Sequence, residues 1–183
     1  GYNSKVLVTT RERPQQPISS RFQWRPLKGL KIEEGVALLT ALGIKGDLEE
    51  FTKLVDGHPL LLRLVADLLK EEYPQDPSLG RLAELGLGNL QQILTDPLVV
   101  GQHRRENVGM VLVLDASFAR LNDLQKRLLL NVSVYRGTFN KVAATGLLPE
   151  ISETDAEREL RTLVKRSFLL EKLNSQRWFN FQP

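Results

Sequence analysis

The chain has 183 residues, 42% of them hydrophobic, enough for one ordinary core or for two small ones sharing an interface, and two is the expectation. It contains no cysteine, which excludes disulfides and thiolate metal sites and fits a reducing, cytoplasmic setting, and its two histidines, His58 and His103, cannot make a zinc site alone. The net charge of +3 is uneven: residues 1–28 carry +5, residues 29–75 carry −4 and the remainder +2.

Lys5-Val6-Leu7-Val8-Thr9-Thr10-Arg11 reads as a short β-strand buried on both faces of a parallel sheet and ending in polar residues. Pro14 and Pro17, set among Gln15, Gln16, Ser19 and Ser20, forbid regular structure after it. Phe22-Gln23-Trp24-Arg25 alternates as an edge strand would. Two such strands cannot make a stable sheet, so residues 1–26 are expected to be the margin of a larger α/β domain that continues upstream. The excess of arginine there suits phosphates, and a solvated basic edge is the plain alternative.

Helical grammar begins at Leu27. Ile32, Val36 and Leu39 fall on one face, with Leu38 and Leu42 beside them, and Gly43 supplies a stop. Asp47 and Glu50 have capping-box spacing ahead of Leu48, Phe51, Leu54 and Val55. Gly57 ends that helix and Pro59 starts the next, whose leucines from Leu60 to Leu69 leave almost no polar face; it should be the centre of a bundle. Residues 78–95 predict further short helices broken at Gly86 and Gly88. The stretch from Leu98 to Asn107, holding Gly101 and His103-Arg104-Arg105, is the best internal boundary.

Beyond it, Leu112, Leu114, Phe118 and Leu121 predict one helix, Asn122-x-x-Gln125 starts a second and Thr154-x-x-Glu157 a third. The period then changes to two: Phe168–Leu173 and Gln176–Phe181 flank Asn174-Ser175, a two-residue hairpin connection. Three helices and a terminal hairpin describe a winged helix. No apolar run approaches the roughly 18 residues that span a bilayer, and no signal peptide is evident.

In this order Lys5–Arg11, Leu27-x-x-Leu30, Gly57-His58-Pro59-Leu60 and Leu114-Asp115-Ala116-Ser117-Phe118-x-x-Leu121 resemble the second half of NB-ARC domains, the STAND class of signal-transduction NTPases that includes apoptosome scaffolds and plant defence proteins. The resemblance implies a mainly α fold: residues 1–26 the edge of a nucleotide-binding α/β domain, 27–100 a helical lid and 105–183 a winged-helix domain. It implies a regulatory piece of a nucleotide switch that helps bind ADP or ATP in the parent protein and couples nucleotide state to domain opening and self-association. Arg11 would be the sensor of the terminal phosphate, with Thr10 beside it; a guanidinium offers a fixed fork of donors, although pairing with Glu12 would serve as well. Pro59 would pack against adenine, with Gly57 allowing the backbone to turn sharply there, and Gln182 stands where the family places a histidine that reaches the diphosphate. Glutamine can donate a hydrogen bond but carries no charge.

No Gly-x-x-x-x-Gly-Lys-Ser/Thr occurs, so the expectation is that this piece hydrolyses nothing alone, holds no metal and partners the upstream half of its parent. A DNA-binding winged-helix regulator is the second reading, supported by Arg158, Arg161 and Lys165 on one helix. Asp155, Glu157 and Glu159 on that helix count against nucleic acid. A purely structural helical adaptor is the third.

Overall fold

The computed structural model describes residues 28–97 and 105–181, and these are mainly helical with one two-stranded antiparallel sheet at their C-terminal end. The strands expected within residues 1–26, with Thr10 and Arg11, and the terminal Gln182 lie outside the described residues.

Local chemistry sets the first four helices. Helix α1, Ile32–Ala41, starts where Glu34 turns back to accept the Lys31 N–H at 2.9 Å and stops before Gly43, which takes φ +79°. Asp47 caps α2, Leu48–Leu54, accepting from the Glu50 N–H at 2.9 Å. Helix α3, Pro59–Glu72, has proline at its first position and buries Leu61, Leu62, Leu64, Val65, Ala66, Leu68 and Leu69. It is the centre of the lobe, as its leucine content predicts. A 3₁₀ turn, Leu79–Ala83, and α4, Leu90–Thr95, close the lobe around Leu85, Leu87, Leu90 and Leu94.

Helix α5, Arg105–Ala119, serves two masters. Its body packs Val113 fully, and Val108, Met110, Leu112, Leu114 and Ala116 partly, on the leucine core of α3. Gly109 permits this closeness, since a Cβ there would lie 2.7 Å from Leu61 Cδ2. Phe118 at its end joins a second cluster, built on Leu128, Val132, Phe139, Leu160, Leu163, Leu169 and Phe179.

That second lobe contains α6, Asp123–Val132, α7, Lys141–Leu147, α8, Glu153–Lys165, β1, Leu169–Leu173, and β2, Arg177–Phe181. The Asn122/Gln125 capping box forms in both directions, at 2.8 and 3.1 Å. Three details differ from the sequence expectation. Helix α7 was not expected; it is short and weakly patterned, and Asn140 starts it by accepting from the Ala143 N–H. The cap of α8 is Ser152 rather than Thr154, with Asp155 as its partner. The hairpin connection has three residues, because Leu173 pairs with Arg177. This register sets Leu169 opposite Phe181 and Glu171 opposite Phe179, so the three apolar side chains share the inner face; a slip by one would separate them. Phe139 adds a single bridge along the other edge of β2, with hydrogen bonds of 2.8 and 2.7 Å to Phe179.

Candidate functional site

The turn between α2 and α3 carries the two described residues of the expected nucleotide site. Asp56 and Gly57 both adopt left-handed backbone, φ +50° and +61°. Here the segment that enters the lobe lies backbone against backbone on the turn: the Leu30 N–H donates to Gly57 O at 2.8 Å. A Cβ on Gly57 would sit 2.1 Å from Leu30 O, and one on Gly29 would sit 1.9 Å from Asp56 O. Only glycine fits at either place.

His58 then caps α3, its Nδ1 accepting from the Leu61 N–H at 3.3 Å, a role the sequence did not reveal. Gly57 is buried while Pro59, one position past the cap, is exposed. The turn is therefore held rigidly from beneath and leaves a flat apolar ring uncovered. Gly57 and Pro59 are brought together as expected from their adjacency, whereas Thr10, Arg11 and Gln182 lie outside the described residues.

A second polar feature lies where the two lobes meet, and no motif announced it. Glu72, at the end of α3, is flanked by two arginines of the C-terminal region: Arg166 Nη1 at 2.9 Å from Oε1 and Arg120 Nε at 3.7 Å from Oε2. Arg120 also donates to Ala116 O at 2.9 Å and across the seam to Glu84 O at 3.2 Å. One turn back on α3, Asp67 accepts a hydrogen bond from Ser167 Oγ and lies 3.5 Å from Arg63 Nε.

Ser167 is itself unusual. The N–H groups of Ser167 and Phe168 bond to Val164 O and Leu163 O, at 2.9 and 3.0 Å, which closes α8 in a Schellman motif. The residue at that left-handed position is commonly glycine. Here it is serine at φ +59°, a conformation that costs a residue with a Cβ about 1–2 kcal/mol. The hydroxyl's reach to Asp67 gives that strain a purpose. Arg166 beside it is largely buried, and its Nε has no hydrogen-bond partner among the described residues.

The two lobes also differ in sign. Residues 28–97 hold seven Lys/Arg against twelve Asp/Glu, and residues 120–181 hold eleven against seven. The acidic lobe thus presents Asp67 and Glu72 to a basic partner.

Among the described residues no three His, Asp or Glu side chains gather closely enough to hold a metal, and no helix is long and apolar enough to cross a membrane. No protein-family model matches the chain, and no curated protein matches it.

Proposed function

We propose that this chain is the regulatory part of a nucleotide switch of the NB-ARC type, in which 28–97 acts as a helical lid and the C-terminal lobe as a winged helix. The observation that carries this reading is the seam: two separately packed cores, joined by α5, meet through Glu72, Asp67, Arg120, Arg166 and Ser167. Such a junction can part without exposing either apolar core, which a fused core could not do. A purely structural adaptor has no need of it.

The winged-helix reading draws support from α6, α7 and α8 followed by the hairpin, with Phe139 bridged to β2. The nucleotide reading draws support from the uncovered Pro59 on a turn fixed by Gly29 and Gly57. In this reading the phosphate-cradling loop belongs to another part of the parent protein, ADP lies against Pro59, and Arg11 and Gln182 approach its phosphates. ADP favours the closed arrangement only through contacts that it makes better there than in the open one. The 183-residue chain itself turns over no ATP.

The test is made on the parent protein with Arg11→Ala and Pro59→Ala, by quantifying the adenine nucleotide that co-purifies and its release rate. Each substitution should weaken ADP retention by about tenfold, the equivalent of ~1.4 kcal/mol. Unchanged retention in both variants would sink the nucleotide reading and leave the adaptor.

A further inference from the structure

We propose that the outward face of α8 in the C-terminal lobe binds the phosphate backbone of nucleic acid. Thr154, Glu157, Arg158, Arg161, Thr162 and Lys165 line an open cleft of about 390 Å³ along this helix. The carboxylates that argue against such binding when α8 is read as a string each have a partner in the fold. Glu159 is 8% exposed and turns inward, where it accepts from Gln125 Nε2 at 2.9 Å. Asp155 folds back on the cap, accepting from Ser152 Oγ at 2.7 Å and pairing with Arg158 at 2.7 Å. Glu157 is held by Lys141 at 2.9 Å and Arg177 at 3.0 Å.

Among the exposed side chains of α8, Glu153 lies in its first turn and two unpaired cations lie toward its far end. Neither Arg161 nor Lys165 forms a salt bridge within the described residues, and both are exposed. Spaced four apart on one helix face they repel each other, a cost that a bound anion would remove. Arg158, one turn before Arg161, remains 63% exposed despite its two acidic partners. From Arg158 to Lys165 the helix rises about 10 Å, room for more than one phosphate group.

The partner's class follows from what the face lacks. None of its six lining side chains is an apolar or aromatic anchor, whereas protein interfaces depend on such anchors at their centre. Guanidinium, ammonium and threonine hydroxyl donors on a positively charged surface are the groups that contact nucleic-acid backbones. Because phosphate contacts carry no sequence information directly, the binding should be weakly selective.

The experiment uses fluorescence anisotropy of the 183-residue protein with a labelled mixed-sequence duplex, at about 50 and about 200 mM salt, since phosphate contacts make affinity fall with salt. An Arg161→Glu/Lys165→Glu double variant should bind at least about tenfold more weakly and show a log–log salt slope smaller by about two. Both side chains are solvent-facing, so far-UV circular dichroism and the melting midpoint should be unchanged, and a double alanine variant should fall between the two. A matched Arg21→Ala/Arg25→Ala variant tests the basic N-terminal segment. The proposal is overturned if duplex binding is absent, if it survives the α8 substitutions and is lost with those at 21 and 25, or if polyglutamate of equal charge displaces the duplex as well as unlabelled duplex does. That last result would assign the face to an acidic protein.

Discussion

The two lobes solve the problem of making a small core in different ways. The N-terminal lobe surrounds one leucine-rich helix, α3, with short helices, and its packing is aliphatic apart from Phe51 and the partly buried Tyr73. The C-terminal lobe has less apolar helix surface and ties its helices to a two-stranded hairpin through rings: Phe139 lies between Tyr135, Phe179 and Phe181, with centroids 5.4, 6.2 and 6.4 Å away. Aliphatic packing tolerates small shifts, while the ring cluster depends on one strand register. The lesson is that the first lobe owes its form to a central helix and the second to a bridge of distant residues.

Substitutions within each core should separate the lobes most clearly. Phe179→Ala should cost about 3–5 kcal/mol and Leu62→Ala about 2–5 kcal/mol, measured by urea titration. If the lobes are distinct units, each substitution produces a two-step transition in which only its own lobe melts early. A single shared transition in both variants would mean that α5 fuses the lobes into one cooperative unit. Next in size, Gly57→Ala should destabilise the N-terminal lobe by more than about 2 kcal/mol, because the added Cβ meets the Leu30 backbone and the left-handed conformation is strained.

The seam should respond more modestly. Glu72→Gln leaves Arg166 with a weaker partner in a partly buried site and should cost about 1–3 kcal/mol, with faster hydrogen exchange at the end of α3. Ser167→Gly sharpens the point, since it relaxes the left-handed residue yet removes the bond to Asp67. The C-terminal lobe should keep or gain stability while the inter-lobe distance distribution, read by paired spin labels, broadens. A tightened distribution would show that the serine has no part in joining the lobes.

The smallest effect concerns acid. Hydrogen bonding to Lys141, then its charge and those of Arg177 and Arg161, holds the Glu157 carboxyl below its usual range. Hydrogen bonds from Tyr73 and Arg81 do the same for Glu84. A carboxylate depressed in the folded state contributes stability above its unfolded value, about 4.3, and that contribution is lost as pH falls through the lower folded value. Both groups are solvent-accessible, so thermal melts should be flat from neutral pH to about 5 and then decline gently in both lobes.

Much of the helical layout was legible because its signals are local. Gly43, Asp47, Pro59 and the Asn122/Gln125 pair each act within one turn of chain, and each marks a real helix end. Helix α7 escaped notice because Lys141-Val142-Ala143-Ala144-Thr145-Gly146-Leu147 buries only Ala144 deeply and so has no apolar stripe to read. The hairpin connection is one residue longer than its turn residues suggest, and its strand β2 is also bridged by Phe139, 35 residues before Asn174 and far outside the turn. The seam was invisible for the same kind of reason. Nothing in Glu71-Glu72 distinguishes the residue that meets Arg120 and Arg166 from its solvated neighbour, since partners 48 and 94 positions away make that choice. Of the residues expected to form a nucleotide site, the Gly57-His58-Pro59 turn could be read as a helix stop and restart, but not the reason position 57 must be glycine.

That reason has a mechanical side. Because Gly29 and Gly57 press two stretches of main chain together with no side chain between them, the segment entering at Leu30 and the turn before α3 form one close joint. Pro59 follows this joint within two residues and begins the fourteen residues of α3, whose far end is Glu72. The Gly29–Gly57 contact and the lobe seam thus lie at opposite ends of a single helix.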